Sequence, residues 1–180
     1  GMKHPTLFHL VSAVFKEKDI SAVLIGGFAV NFYKLARQTA DIDFLITRDD
    51  FDKIFSLLEQ EGYTKNDGHD VFVKLENTKG YLMDIDFMFV DKETLDKVIK
   101  DSKEIIIAKQ KFKVPSLNHL IALKLHSVRH NPKLREYKDF PDIMELIRIN
   151  KIDVKRREFK ELCLKYGTEE LYKRIIERNQ

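Results

Sequence analysis

The stretch VLIGGFAVNFYKLARQTADIDFLI, from Val23 to Ile46, decides how the chain is read. A short apolar run ends at Gly26-Gly27, and a helical pattern follows from Phe28 to Ala36. Two glycines at a strand-to-helix turn leave backbone N–H groups open to a close approach, because no Cβ stands in the way. Asp41–Ile46 then reads as a strand of β-branched and aromatic residues with turn-like flanks. Alternate residues of a strand share a face, so Asp41 and Asp43 point the same way. Side by side they can offer oxygen ligands to a hard cation such as magnesium. A Gly-Gly pair can equally be a plain turn, and an Asp-x-Asp pair a solvated edge. Their combination with Ile42, Phe44, Leu45 and Ile46 argues otherwise, since aspartates in a partly buried strand cost free energy unless something offsets their charge.

Working outward, residues 5–17 place Leu7, Leu10, Val11, Val14 and Phe15 on one helical face. Asp49 and Asp50 are candidate caps for a helix running to about Gln60. Val71–Leu75 and Tyr81–Val90 read as strands joined by a turn at Asn77–Gly80, with a shorter pair at Ile105–Ala108 and Phe112–Val114. Asp67-Gly68 reads as a turn. Within Leu82–Val90 the aspartates Asp84 and Asp86 alternate, so they too share a face. If that strand lies beside Asp41–Ile46, three or four carboxylates converge and repel unless a cation sits among them. Two divalent ions ~3.5–4 Å apart, bridged by such carboxylates, can clamp the attacking and leaving oxygens of a phosphoryl transfer.

After Pro115 the pattern becomes helical. Ser116 can cap a helix to about Val128, Asn131-Pro132 breaks it, and helices follow around 139–149, 154–166 and 168–178. The expected fold class is α+β: a mixed sheet flanked by helices in residues 1–114, and a helical portion in 115–180 packed on that core.

The pattern Gly26-Gly27, Arg37-x-Thr39-x-Asp41-Ile42-Asp43, then an aspartate on a later strand, closely resembles the polymerase-β-like nucleotidyltransferase superfamily. Within it the chain looks most like the small prokaryotic branch of AbiEii-type toxins and minimal nucleotidyltransferases. The resemblance implies that Gly26 and Gly27 hold a nucleoside triphosphate. It implies that Asp41 and Asp43 bind Mg2+, and that Asp86 completes the catalytic and metal set by helping to deprotonate the acceptor. Asp84 is the alternative to Asp86, and the apolar continuation Phe87-Met88-Phe89 favours Asp86. Arg37 and Thr39 belong to the same pattern, where Arg37 touches phosphate or buttresses the loop. The AbiEii-like branch also carries a helix lysine, then an arginine and a Lys-Asp-x-x-Asp segment, matched here by Lys124, Arg129, Lys138, Asp139 and Asp142. A lysine on an apolar helix face suits a triphosphate, or else snorkels to the surface. Asp139 can instead be the N-cap of a helix with Pro141 in its first turn. The implied partners are a nucleoside triphosphate, an acceptor (tRNA, protein or small molecule) and an antitoxin protein. The implied alternative is a nucleotide- or RNA-binding module of a toxin–antitoxin system with little transferase activity.

Composition narrows the classes. Apolar residues make up 43% and charged residues 34%, with a net charge of +3. That excludes a strongly basic nucleic-acid binder, though a local patch can exist. The basic run Lys151, Lys155, Arg156, Arg157 and Lys160 is interspersed with Glu158 and Glu161 and reads first as a solvated helix face. His126 and His130, four apart, lack a third zinc ligand and read as a solvated pair. One cysteine, Cys163, excludes a disulfide framework and reads as a buried hydrophobe. No apolar run approaches the ~18 residues of a membrane span. No signal peptide precedes Met2, and Gly1 reads as a tag remnant, so the expectation is a cytoplasmic protein with no membrane partner.

Overall fold

The computed structural model describes residues 4–180, with the side chain of His69 excepted. Two compact units form. One comprises Gly1–Ala29 and Arg37–Ser116, and the other Val30–Ala36 and Leu117–Gln180. Residues 30–36 thus cluster with the helices, although they lie in the α/β half by sequence position.

The first unit is built on a five-stranded sheet, β1 (Val23–Ile25), β2 (Asp41–Ile46), β3 (Tyr63–His69), β4 (Phe72–Asn77) and β5 (Asp84–Phe89), in the order β1-β2-β5-β4-β3. The sheet is mixed: β2 and β5 run parallel, and the other neighbours are antiparallel. β3 falls where the sequence suggested a turn at Asp67-Gly68. A bulge between Lys65 and Asp67 absorbs those residues, and pairing with β4 continues to His69 and Phe72. β6 (Lys103–Ile107) and β7 (Gln110–Val114) form a separate two-stranded sheet.

Helix α1 (Leu7–Glu17) is capped by Thr6, and α2 (Gly26–Phe32) starts directly at the glycines. Helix α3 (Arg48–Gln60) is capped by Thr47, whose Oγ1 accepts from the Asp50 N–H at 3.2 Å. Asp49 and Asp50, the expected caps, instead occupy its first turn, where acidic side chains favour the positive end of the helix dipole. Helix α4 (Lys92–Lys100) was not anticipated; Asp91 caps it through the Thr94 N–H at 2.7 Å.

Alternation divides β2 and β5 cleanly. Ile42, Phe44, Ile85 and Phe87 are fully buried, while Asp41, Asp43, Asp84 and Asp86 on the other face are half-buried. The buried face is aromatic. Phe44 lies 5.1 Å from Phe15, 6.0 Å from Phe87 and 6.0 Å from Phe112, ring centre to ring centre. Phe51 of α3 joins Phe87 at 5.2 Å. This cluster anchors the strands from below, so the opposite face can carry charge.

The second unit is helical: α5 (Leu117–His130), α6 (Pro132–Ile149), α7 (Arg157–Tyr166) and α8 (Glu169–Arg178). Asn131-Pro132 separates α5 from α6, but Pro132 is the first residue of α6 rather than part of a long break. There its missing N–H costs nothing, because no partner exists for it. Asp139 therefore sits in mid-helix and is not a cap, and Pro141 lies inside the helix, leaving one turn without its backbone bond. Buried Phe140, Ile143, Leu146 and Ile147 hold α6 in place.

Phe44→Ala is expected to lower stability by about 3–5 kcal/mol, since it empties the centre of the aromatic cluster. Urea unfolding followed by far-ultraviolet circular dichroism measures this, and a loss under about 1 kcal/mol would show that the sheet does not depend on that cluster.

Candidate active site

The parallel ladder of β2 and β5 sets Asp41 opposite Asp84 and Asp43 opposite Asp86. Paired residues of adjacent strands point to one face, so four carboxylates stand together there. On the far side of β5, β4 brings Lys74 opposite Asp86. On the far side of β2, Ile25 pairs with Asp43, and the chain turns at Gly26 immediately after.

That turn explains the glycines. Gly26 has φ +68°, a left-handed conformation disfavoured for any residue with a Cβ. A Cβ there would lie 2.1 Å from Asp43 Oδ2, and one on Gly27 would lie 2.8 Å from both Cβ and Oγ1 of Thr39. The space above Gly26 is thus filled by the Asp43 carboxylate itself. Thr39 donates from Oγ1 to the carbonyl of Asp41 at 2.8 Å, fixing the approach to β2. Arg37 is half-buried in the same approach.

The carboxylates are not equivalent. Asp43 and Asp86 are side-chain neighbours across the ladder, and Asp43 is one of the groups that shape the Asp86 carboxyl. The Asp86 carboxyl is raised above the ordinary carboxylate range, chiefly by desolvation, with further pushes from Asp41 and Asp84 that Lys74 and Asp43 oppose. Asp84 accepts from the Asn77 N–H at 3.2 Å, which ties it to the turn between β4 and β5. Asp41 Oδ2 lies 3.8 Å from Lys74 Nζ. The Lys74 ammonium is held above its usual range, first by Asp86 and then by Asp41 and Asp84, against the opposing effect of its own burial. Among the described residues, no group of three or more His, Cys, Asp or Glu side chains is arranged so that it could hold a metal ion. Sequence reasoning missed Lys74. The signal was the alternation Phe72, Lys74, Glu76, which puts Lys74 on the acid face once β4 is paired with β5.

The helical unit gathers a second cluster. Lys124 reaches Asp139 at 3.3 Å and Asp142 at 3.0 Å, and Arg135 Nε reaches Asp139 at 2.8 Å. Asp139 and Asp142 are 1% and 3% exposed. Two cations therefore offset two buried carboxylates, and α5 is clamped to α6. Arg129 is exposed and donates to the carbonyl of Lys165 at 3.2 Å, and Lys138 is also exposed. The His126 and His130 rings lie with centres 4.1 Å apart and planes tilted by 49°, and burial first, then the charges of His130 and Arg129, lowers the His126 pKa. Cys163 is fully buried, and burial pushes its thiol up to about 12.

Gly26→Ala is expected to destabilise the protein by about 1–2 kcal/mol more than Gly80→Ala. Both glycines have left-handed backbones, but a Cβ on Gly80 would meet nothing within 4 Å. Equal melting midpoints for the two variants would show that Asp43 yields freely. In the helical unit, Lys124→Ala should cost about 3 kcal/mol, because it leaves buried carboxylate charge uncompensated. Guanidinium unfolding reads the loss, and a near-neutral result would mean that Arg135 alone satisfies the pair.

Solved structures share this fold. The antibiotic-resistance factor ANT(2'')-Ia superposes with a TM-score of 0.58 at 16% identity, over 96% of this chain and 91% of that one. The lincosamide antibiotic adenylyltransferase LnuA, solved with lincomycin bound, gives 0.54 at 16% identity over 79% and 95%. An antigenic nucleotidyltransferase-like protein from Paracoccidioides brasiliensis gives 0.52 at 18% identity over 77% and 72%. No curated protein matched the sequence. The model of a family described as "Uncharacterised nucleotidyltransferase" matches residues 7–177. Covering nearly the whole chain, glycine turn and carboxylate strands included, that match makes the protein a member of this nucleotidyltransferase family.

Proposed function

We propose that the protein transfers a nucleoside monophosphate from a nucleoside triphosphate to a hydroxyl acceptor and releases pyrophosphate. One observation carries the reading: the β2–β5 register that stacks Asp43 on Asp86 directly beside the Gly26 turn. In this reading Gly26 and Gly27 present backbone to the triphosphate, with Arg37 and Thr39 shaping the loop above them. Asp86 accepts the proton of the acceptor hydroxyl. The hydroxyl oxygen then bonds to the α-phosphorus as the bond to the β-phosphate oxygen breaks. Most of the rate enhancement would come from holding these atoms in line.

The donor set suits magnesium. Its donors are carboxylate oxygens set on one face by the β2–β5 register, and carboxylates crowded in this way repel one another unless a divalent charge sits among them. Asp41, Asp43 and Asp86 would hold Mg2+, and Asp84, tied to Asn77, would support the strand. When bound, the ion supplies electrostatic stabilisation of charge developing on the phosphates. Lys124 would serve a triphosphate only by exchanging one of its two aspartate partners for phosphate.

The neighbours leave the acceptor open. ANT(2'')-Ia has been solved in complex with adenylyl-2''-tobramycin, and another neighbour is a polyadenylate synthase of Megavirus. A small molecule, tRNA or a protein is each chemically suitable. The second reading, a toxin-system module that binds nucleotide, has little transferase activity and is held by an antitoxin, draws on the Lys124–Asp139–Asp142 cluster. Those are residues through which the chain resembles the AbiEii-type branch. A cytoplasmic location is proposed with either reading, on the strength of a single, buried cysteine.

Incubation with each α-labelled nucleoside triphosphate and magnesium, followed by tracing the label, separates the readings. Transfer to any acceptor supports the enzyme, whereas nucleotide-dependent thermal stabilisation without transfer supports the binding module. Asp43→Asn should abolish transfer and erase stabilisation by magnesium plus a non-hydrolysable triphosphate. In EDTA the same variant should match the wild type or gain up to about 1 kcal/mol, because removing one charge relieves repulsion among the crowded carboxylates. A large drop in EDTA with the magnesium–nucleotide shift retained would sink the catalytic assignment.

A further inference from the structure

Lys74 stands on the carboxylate face of the sheet, yet nothing in the glycine–aspartate pattern calls for it. Its register partner on β5 is Asp86, and its ammonium lies 3.8 Å from Asp41 Oδ2. Glu76, its same-face neighbour on β4, is engaged by Asn66 Nδ2 at 2.6 Å. Asp84 is engaged by the Asn77 N–H. The lysine is thus drawn toward Asp41 and Asp86, two of the three groups assigned to the cation. The contact is loose. At 3.8 Å it is a charge pair outside hydrogen-bond range, and both side chains are about a third exposed, at 33% and 36%. Lys124 is held quite differently, at 3.0 and 3.3 Å with its side chain 11% exposed. A compact ammonium on a flexible stem in a partly solvated pair is releasable.

We propose that Lys74 is an exchangeable counter-charge: its ammonium offsets Asp41 and Asp86 until a divalent cation binds there, and the cation then displaces it toward the anionic substrate. This rests on the metal-binding reading of Asp41, Asp43 and Asp86. Lys74 acts through the carboxylates and is a positioning residue. An ammonium and a divalent cation compete for the same oxygens. Removing the ammonium therefore weakens the cation-free protein and tightens cation binding. A merely structural ion pair changes the first and not the second, and a lysine that orients the carboxylates for the metal weakens both.

The test is calorimetric titration of full-length wild type, Lys74→Met, Lys74→Gln and Lys74→Arg with magnesium chloride alone, alongside thermal melts in EDTA. Two neutral variants guard against one failing to fold, with folding checked by circular dichroism. The expected result is about three- to tenfold tighter magnesium binding by the neutral variants, the size expected for removing one positive charge near a divalent ion at a solvated site. Their EDTA melting midpoints should fall below wild type, and Lys74→Arg should bind magnesium no more tightly than wild type. Equal or weaker binding by the neutral variants, with wild-type binding measurable, overturns the role of Lys74 and leaves the metal site standing. No magnesium binding by wild type overturns both.

Discussion

Everything in the candidate site follows from one ladder, the parallel pairing of β2 with β5. Its register stacks like charges, Asp41 beside Asp84 and Asp43 beside Asp86. Cross-strand like charges destabilise a sheet, so the arrangement needs compensation from elsewhere. Part of it is apolar: the same ladder pairs Ile42 with Ile85 and Phe44 with Phe87 on the opposite face, all fully buried. Burying those side chains contributes roughly 1.5–3 kcal/mol each, which exceeds the repulsion between partly solvated carboxylates. Shifting the register by one residue would expose the phenylalanines and bury the aspartates. The apolar face thus enforces the position of the acids.

The remaining compensation is local. Asp84 takes a backbone N–H from Asn77, and Asp41 faces the Lys74 ammonium, which also stands opposite Asp86 on β4. The Gly26 turn belongs to the same economy of space. Its positive φ and missing Cβ let Asp43 lie directly against the backbone, so the carboxylate and the turn must be placed together. Gly26 is therefore as much a condition for the aspartate as for any phosphate that approaches it.

Much of this was legible in the chain. The stretch from Val23 to Ile46 contains β1, the glycine turn and β2, and period-two alternation put each aspartate pair on one face before any pairing was known. Helix caps and boundaries were less legible. Thr47 caps α3 because its hydroxyl reaches the Asp50 N–H, a contact that Asp49 and Asp50 compete for on paper. β3 was hidden by Asp67-Gly68, since a turn-forming pair inside a bulged edge strand looks the same as a turn. Lys74 could not be assigned to the site because its place depends on the non-local pairing of β4 with β5. Asp139 looked like a cap because Pro141 suggested a helix start, but Pro132 starts the helix and the proline at 141 is tolerated within it.

The two charge clusters of the chain obey different rules, and the difference bears on function. In the helical unit Lys124 and Arg135 meet Asp139 and Asp142 at short distances, charges balance, and the aspartates are almost fully buried. Such a cluster is complete. Anything that drew away one member would strand a buried charge, so its natural role is to fix α5 against α6. On the sheet, four partly solvated carboxylates are offset by a backbone donor and a loose ammonium. That cluster has spare acceptor capacity and tolerates exchange of partners at small cost. The transfer proposed above, which would admit a cation and a triphosphate and release pyrophosphate, requires partners that can leave. The sheet cluster meets that condition and the helical cluster does not, which is why the proposal puts the chemistry on the sheet.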